Sequence, residues 1–165
     1  PDPDSVAACV LWSLAIQEAI STAEPDQAFD WEAALRNGLE HVAEDRQEKW
    51  DALITEAVIG PPAVFKEKNG WVVKAFQAAL SAIVNTVEPE EQPADHLRDA
   101  LIAAVRIGND TDTVAAIAGA LLGARWGTGS IPDEWLNLVH GDRRRGSTQI
   151  RASDLKELAR KTASA

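Results

Sequence analysis

The feature that most constrains the fold is an apolar run of eleven residues, Val114 to Ala124, built only from Val, Ala, Ile, Leu and Gly. A helix with no polar face is expected to be buried on all sides. The run is too short to cross a bilayer, which takes about 20 residues. Gly119 and Gly123 lie four residues apart on one face, and a glycine costs about 1 kcal/mol inside a helix. The run therefore predicts a central helix whose glycine face is closely approached by a neighbouring helix.

Four oxygen-bearing side chains stand directly before this run: Asp110, Thr111, Asp112 and Thr113. Gly108 and Asn109 are turn residues, so the helix is expected to begin near Thr111 or Asp112. One interpretation is an N-terminal cap that complements the helix dipole. The other is a site for a hard divalent cation, because Mg²⁺, Mn²⁺ and Ca²⁺ take oxygen ligands and the neighbouring sequence offers no His or Cys of the kind that zinc prefers. The residues alone leave both interpretations open.

This stretch resembles the C-terminal signature of the ADP-ribosylglycohydrolase family. The resemblance is carried by Gly108–Thr113, by the small residues of the following helix, and by Ile131, Pro132 and Trp135. The usual form in that family is Gly-Gly-Asp-Thr-Asp-Thr, and Asn109 here replaces the second glycine. The resemblance implies that Asp110, Asp112 and Thr113 bind a pair of divalent metal ions, with Mg²⁺ expected and Mn²⁺ possible.

A second stretch, Asn69-Gly70-Trp71-Val72-Val73, resembles the Gly-aromatic-Val-Val element of the same family. The resemblance implies that it borders the ADP-ribose cleft, so Asn69, Gly70 and Trp71, together with Gly108, are predicted to bind substrate. A glycine before an aromatic residue permits close approach of the backbone to a ligand, and a tryptophan can stack on a base or ribose. The alternative for Trp71 is a core position at the start of a helix.

The family resemblance also implies a fold and an activity. The fold is all-α, a compact orthogonal multi-helix bundle of the ADP-ribosylglycohydrolase type. The activity is Mg²⁺-dependent hydrolysis of the glycosidic bond between ADP-ribose and a modified side chain, with an ADP-ribosylated protein or an ADP-ribose derivative as partner. The alternatives are a non-enzymatic member, either a crystallin-like scaffold or an ADP-ribose-binding protein, and a hydrolase of small ADP-ribose derivatives.

The whole chain, residues 1–165, is predicted to form a single all-α domain, the C-terminal part of a longer chain. It contains no Met and begins with Pro1-Asp2-Pro3-Asp4, which is similar to the mid-chain His-Pro-Asp-Pro element of the family without its histidine. Nothing in it matches the Thr-Asp-Asp motif of the family's N-terminal segment. The catalytic acid-base carboxylate is therefore unknown, and it is expected in an N-terminal half that would also be a partner of this chain.

Composition excludes some classes of function. The net charge of -10 argues against a nucleic-acid surface, which needs clustered Lys and Arg. No apolar run is long enough to cross a membrane. The one cysteine, Cys9, lies in an apolar run and is expected to be buried. A lone cysteine indicates a reducing compartment, so a cytoplasmic location is predicted.

Apolar periodicity and breaker residues divide the remaining chain into helices without a single predicted strand. His41 and His96 are expected at the surface, and residues 141–146 are expected to form a solvated basic loop. In the last helix, Leu155, Leu158 and Ala159 are expected to face inward, with Ser153 as its cap. In addition to the apolar run, helices are predicted over residues 4–22, 30–47, 49–59, 71–87, 95–105 and 154–161, with a short one after Pro132.

Overall fold

The computed structural model of the chain describes residues 2–22, 28–142 and 149–164. The prediction of an all-α protein is confirmed, because helices dominate and one short hairpin accompanies them. In these residues the helices are α1 (Pro3–Ser21), α2 (Trp31–Arg36), α3 (Glu44–Ile59), α4 (Val72–Val84), α5 (Asp95–Arg106), α6 (Thr111–Trp126), α7 (Asp133–Leu138) and α8 (Ala152–Ala163). Short 3₁₀ turns cover Leu39–His41, Pro62–Phe65 and Thr128–Ser130.

Contacts between Cα atoms divide the chain into two compact units, Pro1–Ser130 and Ile131–Ala165. The single domain expected over residues 1–165 stays a prediction. In the first unit α6 packs against α1, α4 and α5, and α4 also packs against α3. The core is closed by large side chains with no exposed surface, among them Trp50, Leu35, Ile54, Leu80 and Leu121. No helix in the described residues is long and apolar enough to span a membrane.

Helix α1 begins at Pro3, one residue before the predicted start at residue 4. Its N-cap is Asp2, whose carboxylate accepts from the backbone N–H of Ser5, and Asp4 and Ser5 both lie inside the helix. Pro3 occupies the first helical position, where its missing N–H costs nothing. The prediction that Cys9 is buried is wrong: it is exposed on α1. The apolar neighbours of Cys9 in the sequence do not show which face of the helix it lies on.

The helix predicted over residues 30–47 is broken in the middle. It ends at Arg36, passes through Gly38 and a 3₁₀ turn, and resumes as α3 at Glu44. Gly38 explains the break, because a Cβ there would stand 3.1 Å from Cδ2 of Leu11. The chain thus turns tightly against α1 at a residue that also weakens a helix. His41, in the 3₁₀ turn, is exposed as predicted.

His96 is buried, contrary to the predicted surface position. Its Nε2 donates to the carbonyl of Ile83 at 3.0 Å, and its Nδ1 accepts from the indole N–H of Trp126 at 3.3 Å. The neutral ring with its proton on Nε2 satisfies both bonds. Val105 of the same helix, an apolar residue, is in contrast 52% exposed.

Helix α6 is not buried on all sides by the described residues. Ala116 and Ala120 are exposed on one face, although the helix has no polar face. The prediction of close helix approach at the glycines is also wrong for the described residues. A Cβ on Gly119 would make ordinary contact with Leu101 at 3.5 Å, and one on Gly123 would meet nothing within 4 Å. The apolar composition of α6 allows every face of the helix to be buried, but it does not show which faces the rest of this chain covers.

The second unit holds a hairpin that was not predicted. Strand β1 (His140–Asp142) pairs antiparallel with β2 (Gln149–Arg151), and Gly141 lies opposite Ile150. Each strand has three residues, which is too short for an alternating pattern to be read. The predicted basic loop over residues 141–146 falls partly on this hairpin, and residues 143–146 lie outside the described residues.

Helix α8 begins at Ala152, so the prediction that Ser153 caps a helix from 154 is wrong. The carboxylate of Asp154 instead accepts from the backbone N–H of Arg151 at 2.8 Å. Leu155 and Leu158 were predicted to face inward and are 48% and 55% exposed. Ala159, predicted inward with them, is exposed as well.

Candidate metal centre and substrate cleft

The acidic stretch forms a tight turn followed by a helix start, as its residues predict. Helix α5 ends at Arg106, and Gly108 and Asn109 then take left-handed backbone conformations, with φ of +88° and +59°. Glycine and asparagine are the residues that adopt this conformation at least cost. The N–H of Thr111, the first residue of α6, donates to the carbonyl of Asn109 at 2.9 Å. Turn chemistry therefore fixes where α6 begins.

The Asp110 carboxylate does not cap α6. Asp110 occupies the N-cap position, and its carbonyl accepts from the N–H of Val114, but its side chain makes no capping hydrogen bond. Asp112 and Thr113 follow in the first turn, and both are exposed. The capping interpretation of this turn thus lacks the bond that defines a cap. The carboxylate of Asp110 is left available for another partner.

A second loop, Lys66 to Trp71, lies against this turn. The buried side chain of Asn69 spans the two loops: its Nδ2 donates to the carbonyl of Gly108 at 2.9 Å, and its Oδ1 accepts from the N–H of Asp110 at 3.1 Å. In the other direction, Nδ2 of Asn109 donates to the carbonyl of Lys66 at 2.8 Å. The structure therefore brings together predicted site residues that are about 40 positions apart in the sequence.

Gly70, in the second loop, lies against the Asp110 carboxylate, and Trp71 follows it in the chain. A Cβ on Gly70 would stand 3.1 Å from Oδ2 of Asp110, so the carboxylate lies directly against the glycine backbone. Trp71 is the N-cap residue of α4, and the residue is 49% exposed. This exposure excludes the core interpretation of Trp71 within the described residues. An exposed indole is available to stack on a planar ligand.

Lys66 is a residue of this site that sequence reasoning missed. Its side chain runs past Gly108, where a Cβ would stand 3.2 Å from its Cε and 3.8 Å from its Nζ. The positive charge of Lys66 is therefore held beside the acidic turn. Its only signal in the sequence is membership of a polar loop, which does not show what the loop faces.

The donor set of the turn fits a hard divalent cation as a partial ligand set. It consists of two carboxylates, from Asp110 and Asp112, and the hydroxyl of Thr113. Within residues 2–22, 28–142 and 149–164 no group of three or more His, Cys, Asp and Glu side chains is placed to hold a metal ion. Mg²⁺ is commonly held by one or two carboxylates and keeps several waters, so an incomplete protein shell of oxygen ligands suits it.

A different groove of about 250 Å³ lies between α1 and the α2 region. Its lining includes Leu14, Glu18 and His41. The lining contains none of the predicted site residues, so the groove is separate from the acidic turn.

Comparison with known proteins bears on the turn and the rest of the chain. An ADP-ribosylarginine hydrolase, Tri1, of Serratia proteamaculans (strain 568) is 28% identical over 145 residues, which cover 86% of this chain and 34% of that protein. The ADP-ribosylhydrolase ARH3 of Homo sapiens is 31% identical over 102 residues, 58% of this chain and 28% of that protein. An ADP-ribosylarginine hydrolase, Tri1, of Pseudomonas putida (strain GB-1) is 37% identical over 71 residues, 43% of this chain and 17% of that protein.

The chain thus spans at most about a third of the length of these relatives. No solved structure matches it. The model of the ADP-ribosylglycohydrolase family matches residues 1–165, which is the full length of the sequence. Together with the turn that precedes α6, this match places the chain in the ADP-ribosylglycohydrolase family.

Proposed function

We propose that the protein containing this chain hydrolyses the glycosidic bond between ADP-ribose and a modified side chain, with Mg²⁺ as its cofactor. The observation that carries the proposal is the Asp110 carboxylate. It stands at the start of a helix that it does not cap, against the backbone of Gly70. The names of the relatives, ADP-ribosylarginine hydrolase and ADP-ribosylhydrolase, support the class of reaction.

The proposed metal ligands in this chain are the carboxylates of Asp110 and Asp112 and the hydroxyl of Thr113. Two Mg²⁺ ions are expected, and Mn²⁺ is a possible substitute. A bound Mg²⁺ supplies charge stabilisation and a water of lowered pKa. The N-terminus of α6 carries a partial positive charge that opposes a cation. Both carboxylates are therefore needed to offset it, and the loss of either should weaken metal binding strongly.

The proposed substrate contacts lie on the neighbouring loop. Gly70 has no side chain, so its backbone can be approached closely by a ligand. The exposed indole of Trp71 can stack on the base or a ribose of ADP-ribose. Gly108 is the remaining proposed substrate contact; it lies two residues before Asp110 in the turn, with the side chain of Lys66 beside it. Asn69 holds the two loops together through both ends of its amide.

The reaction needs an activated water and a stabilised leaving group, because glycoside hydrolysis passes through an oxocarbenium-like transition state. The acid-base carboxylate is not assigned to this chain. We propose, from the family resemblance, that it lies in an N-terminal half of the same protein. A cytoplasmic location is part of the same proposal and is supported by the single cysteine in the sequence.

The test replaces one proposed ligand in the full-length protein. Asp112→Ala is expected to abolish Mg²⁺-dependent release of ADP-ribose from an ADP-ribosylated peptide, with a loss of at least about 100-fold. Asp133→Ala is the matched control, because Asp133 is also an exposed acidic residue in the first turn of a helix. Turnover retained in Asp112→Ala would refute the role of the turn. Comparing an ADP-ribosylated protein with a small ADP-ribose derivative then identifies the substrate class.

A further inference from the structure

Asn69 is a buried polar side chain whose hydrogen bonds both go to the acidic turn. It is 1% exposed. A buried amide is costly unless its donor and acceptor are satisfied. Here the donor reaches the carbonyl of Gly108 and the acceptor receives the N–H of Asp110. One bond needs the amide nitrogen and the other the amide oxygen, so the side chain has a single satisfied orientation.

Asn109 completes the connection from the opposite side. Its Nδ2 donates to the carbonyl of Lys66, three residues before Asn69. Asn109 has a φ of +59°, a conformation that glycine or asparagine adopts with least strain. The usual family motif has glycine at this position, and asparagine keeps the backbone conformation while adding a bond that glycine lacks. Three side-chain-to-backbone bonds in two directions therefore join the loops, and we call this set the asparagine clasp.

The clasp acts on Asp110 through its backbone. The Asp110 N–H is held by Asn69, its carbonyl accepts from Val114 inside α6, and its carboxylate lies against Gly70. No capping bond orients the carboxylate. Its direction is therefore set by the fixed backbone of Asp110 and by the position of the loop that carries Gly70. The clasp controls both, because Asn69 and Gly70 are adjacent in the same loop.

We propose that Asn69 is a positioning residue, with Asn109 as its counterpart, that aims the Asp110 carboxylate for binding a divalent cation. This inference rests on the proposed function, since it assumes that Asp110 is a metal ligand. This role of Asn69 is to hold the turn rather than to contact substrate, because its amide nitrogen and its amide oxygen each already make a hydrogen bond to the turn. Groups that orient metal ligands typically change metal affinity about 10–100-fold when they are removed.

The experiment measures Mn²⁺ binding to the full-length protein by electron paramagnetic resonance and Mg²⁺ binding by calorimetry. The unfolding temperature of each variant is measured as well. Asn69→Ala is expected to weaken Mn²⁺ binding at least about tenfold. Asn109→Gly keeps the turn conformation and removes only the bond to Lys66, so it is expected to cause a smaller loss. Asn85→Ala is the control, because the Asn85 amide also donates to backbone carbonyls, those of Ser81 and Gly60. Asn85 is the C-cap of α4, at the end of that helix away from Trp71.

The control separates positioning from general stabilisation. Asn85→Ala is expected to lower the unfolding temperature and leave Mn²⁺ affinity unchanged. Wild-type affinity in Asn69→Ala would overturn the inference and leave the proposed function standing. Absence of Mn²⁺ and Mg²⁺ binding by the wild-type protein would overturn the proposed metal centre, and the clasp's role with it. If Asn69→Ala does not fold, Asn109→Gly decides, and unchanged affinity in that variant overturns the inference.

Discussion

The backbone of Gly70 supports the carboxylate of Asp110 across two loops that are 40 residues apart in the sequence. A Cβ on Gly70 would stand 3.1 Å from Oδ2 of Asp110, closer than nine in ten of the contacts that real Cβ atoms make. Gly70 has no left-handed φ, so its backbone conformation does not require glycine. The requirement for glycine comes from the space that the carboxylate occupies.

Gly70→Ala is therefore expected to displace the Asp110 carboxylate by a few tenths of an ångström. Divalent metal ligation tolerates distance errors of only about 0.2 Å, so metal affinity should fall. We expect a loss of about tenfold in Mn²⁺ affinity, measured by titration, with little change in unfolding temperature. Gly129→Ala is the control, because a Cβ on Gly129 meets nothing within 4 Å in the described residues. Equal affinities in the two variants would contradict the packing argument.

The acidic turn could be predicted from the sequence because its determinants are local. Gly108 and Asn109 favour left-handed turn conformations, and Asp110 and Thr111 suit a helix start whatever surrounds them. The site's second half could not be predicted this way. The bonds of Asn69 reach Gly108 and Asp110, 39 and 41 residues away, and no sequence pattern marks such a pair. Family resemblance placed Asn69 near the site, but only the contacts show what its amide does.

The errors in the fold have the same origin. His96 is buried because Trp126 and the carbonyl of Ile83 satisfy both of its ring nitrogens, and these partners are distant in sequence. Ala116 is exposed because no described neighbour covers that face of α6, whereas periodicity shows only that the face is apolar. The local sequence pattern was enough to predict that a helix exists. The burial of its side chains depends on partners from distant parts of the chain, which the pattern does not show.

Two core tryptophans should respond differently to replacement by phenylalanine. The indole N–H of Trp12 donates to the carbonyl of Ile117 at 3.0 Å, which joins α1 to α6. The indole N–H of Trp50 is buried and has no hydrogen-bond partner in the described residues. Both rings pack edge to face against Phe76, so the lost packing is comparable. Trp12→Phe loses a hydrogen bond, whereas Trp50→Phe removes an unpaired donor.

Trp12→Phe should therefore lower the free energy of unfolding by about 1 kcal/mol more than Trp50→Phe does. Urea denaturation of each variant beside the wild-type protein measures the difference. Equal losses, or a larger loss in Trp50→Phe, would mean that packing rather than hydrogen bonding separates the two sites.

His96→Ala is expected to destabilise the protein strongly. The substitution leaves the indole N–H of Trp126 and the carbonyl of Ile83 without this partner, and it opens a cavity beside the ring of Trp31. The carbonyl of Ile83 keeps its bond from the backbone N–H of Thr86, so the unpaired indole N–H and the cavity together are expected to lower the free energy of unfolding by about 3 kcal/mol. The exposed His41 is the control, and His41→Ala should stay within about 0.5 kcal/mol of wild type. Comparable losses in the two variants would contradict the buried role of His96.

The N-cap of α1 should make the stability of this helix depend on pH in the acidic range. The hydroxyl and the backbone N–H of Ser5 both donate to Oδ2 of Asp2 at 2.8 Å, and they hold the pKa of that carboxyl below its ordinary value. A lowered pKa in the folded state means that the charged form is stabilised by folding. This contribution is fully present above the unfolded pKa of about 3.9 and is lost as the pH falls through the lower folded value.

Ser5→Ala tests this relationship because it removes the hydroxyl, the largest cause of the shift, and keeps the backbone donor. We expect the titration midpoint of the Asp2 carboxyl carbon, followed by ¹³C NMR, to rise toward the ordinary aspartate value. In Asp2→Asn the acid dependence that this cap contributes should disappear, because the side-chain oxygen remains an acceptor but no longer titrates. An Asp2 midpoint unchanged by Ser5→Ala would show that the hydroxyl does not stabilise the charged cap.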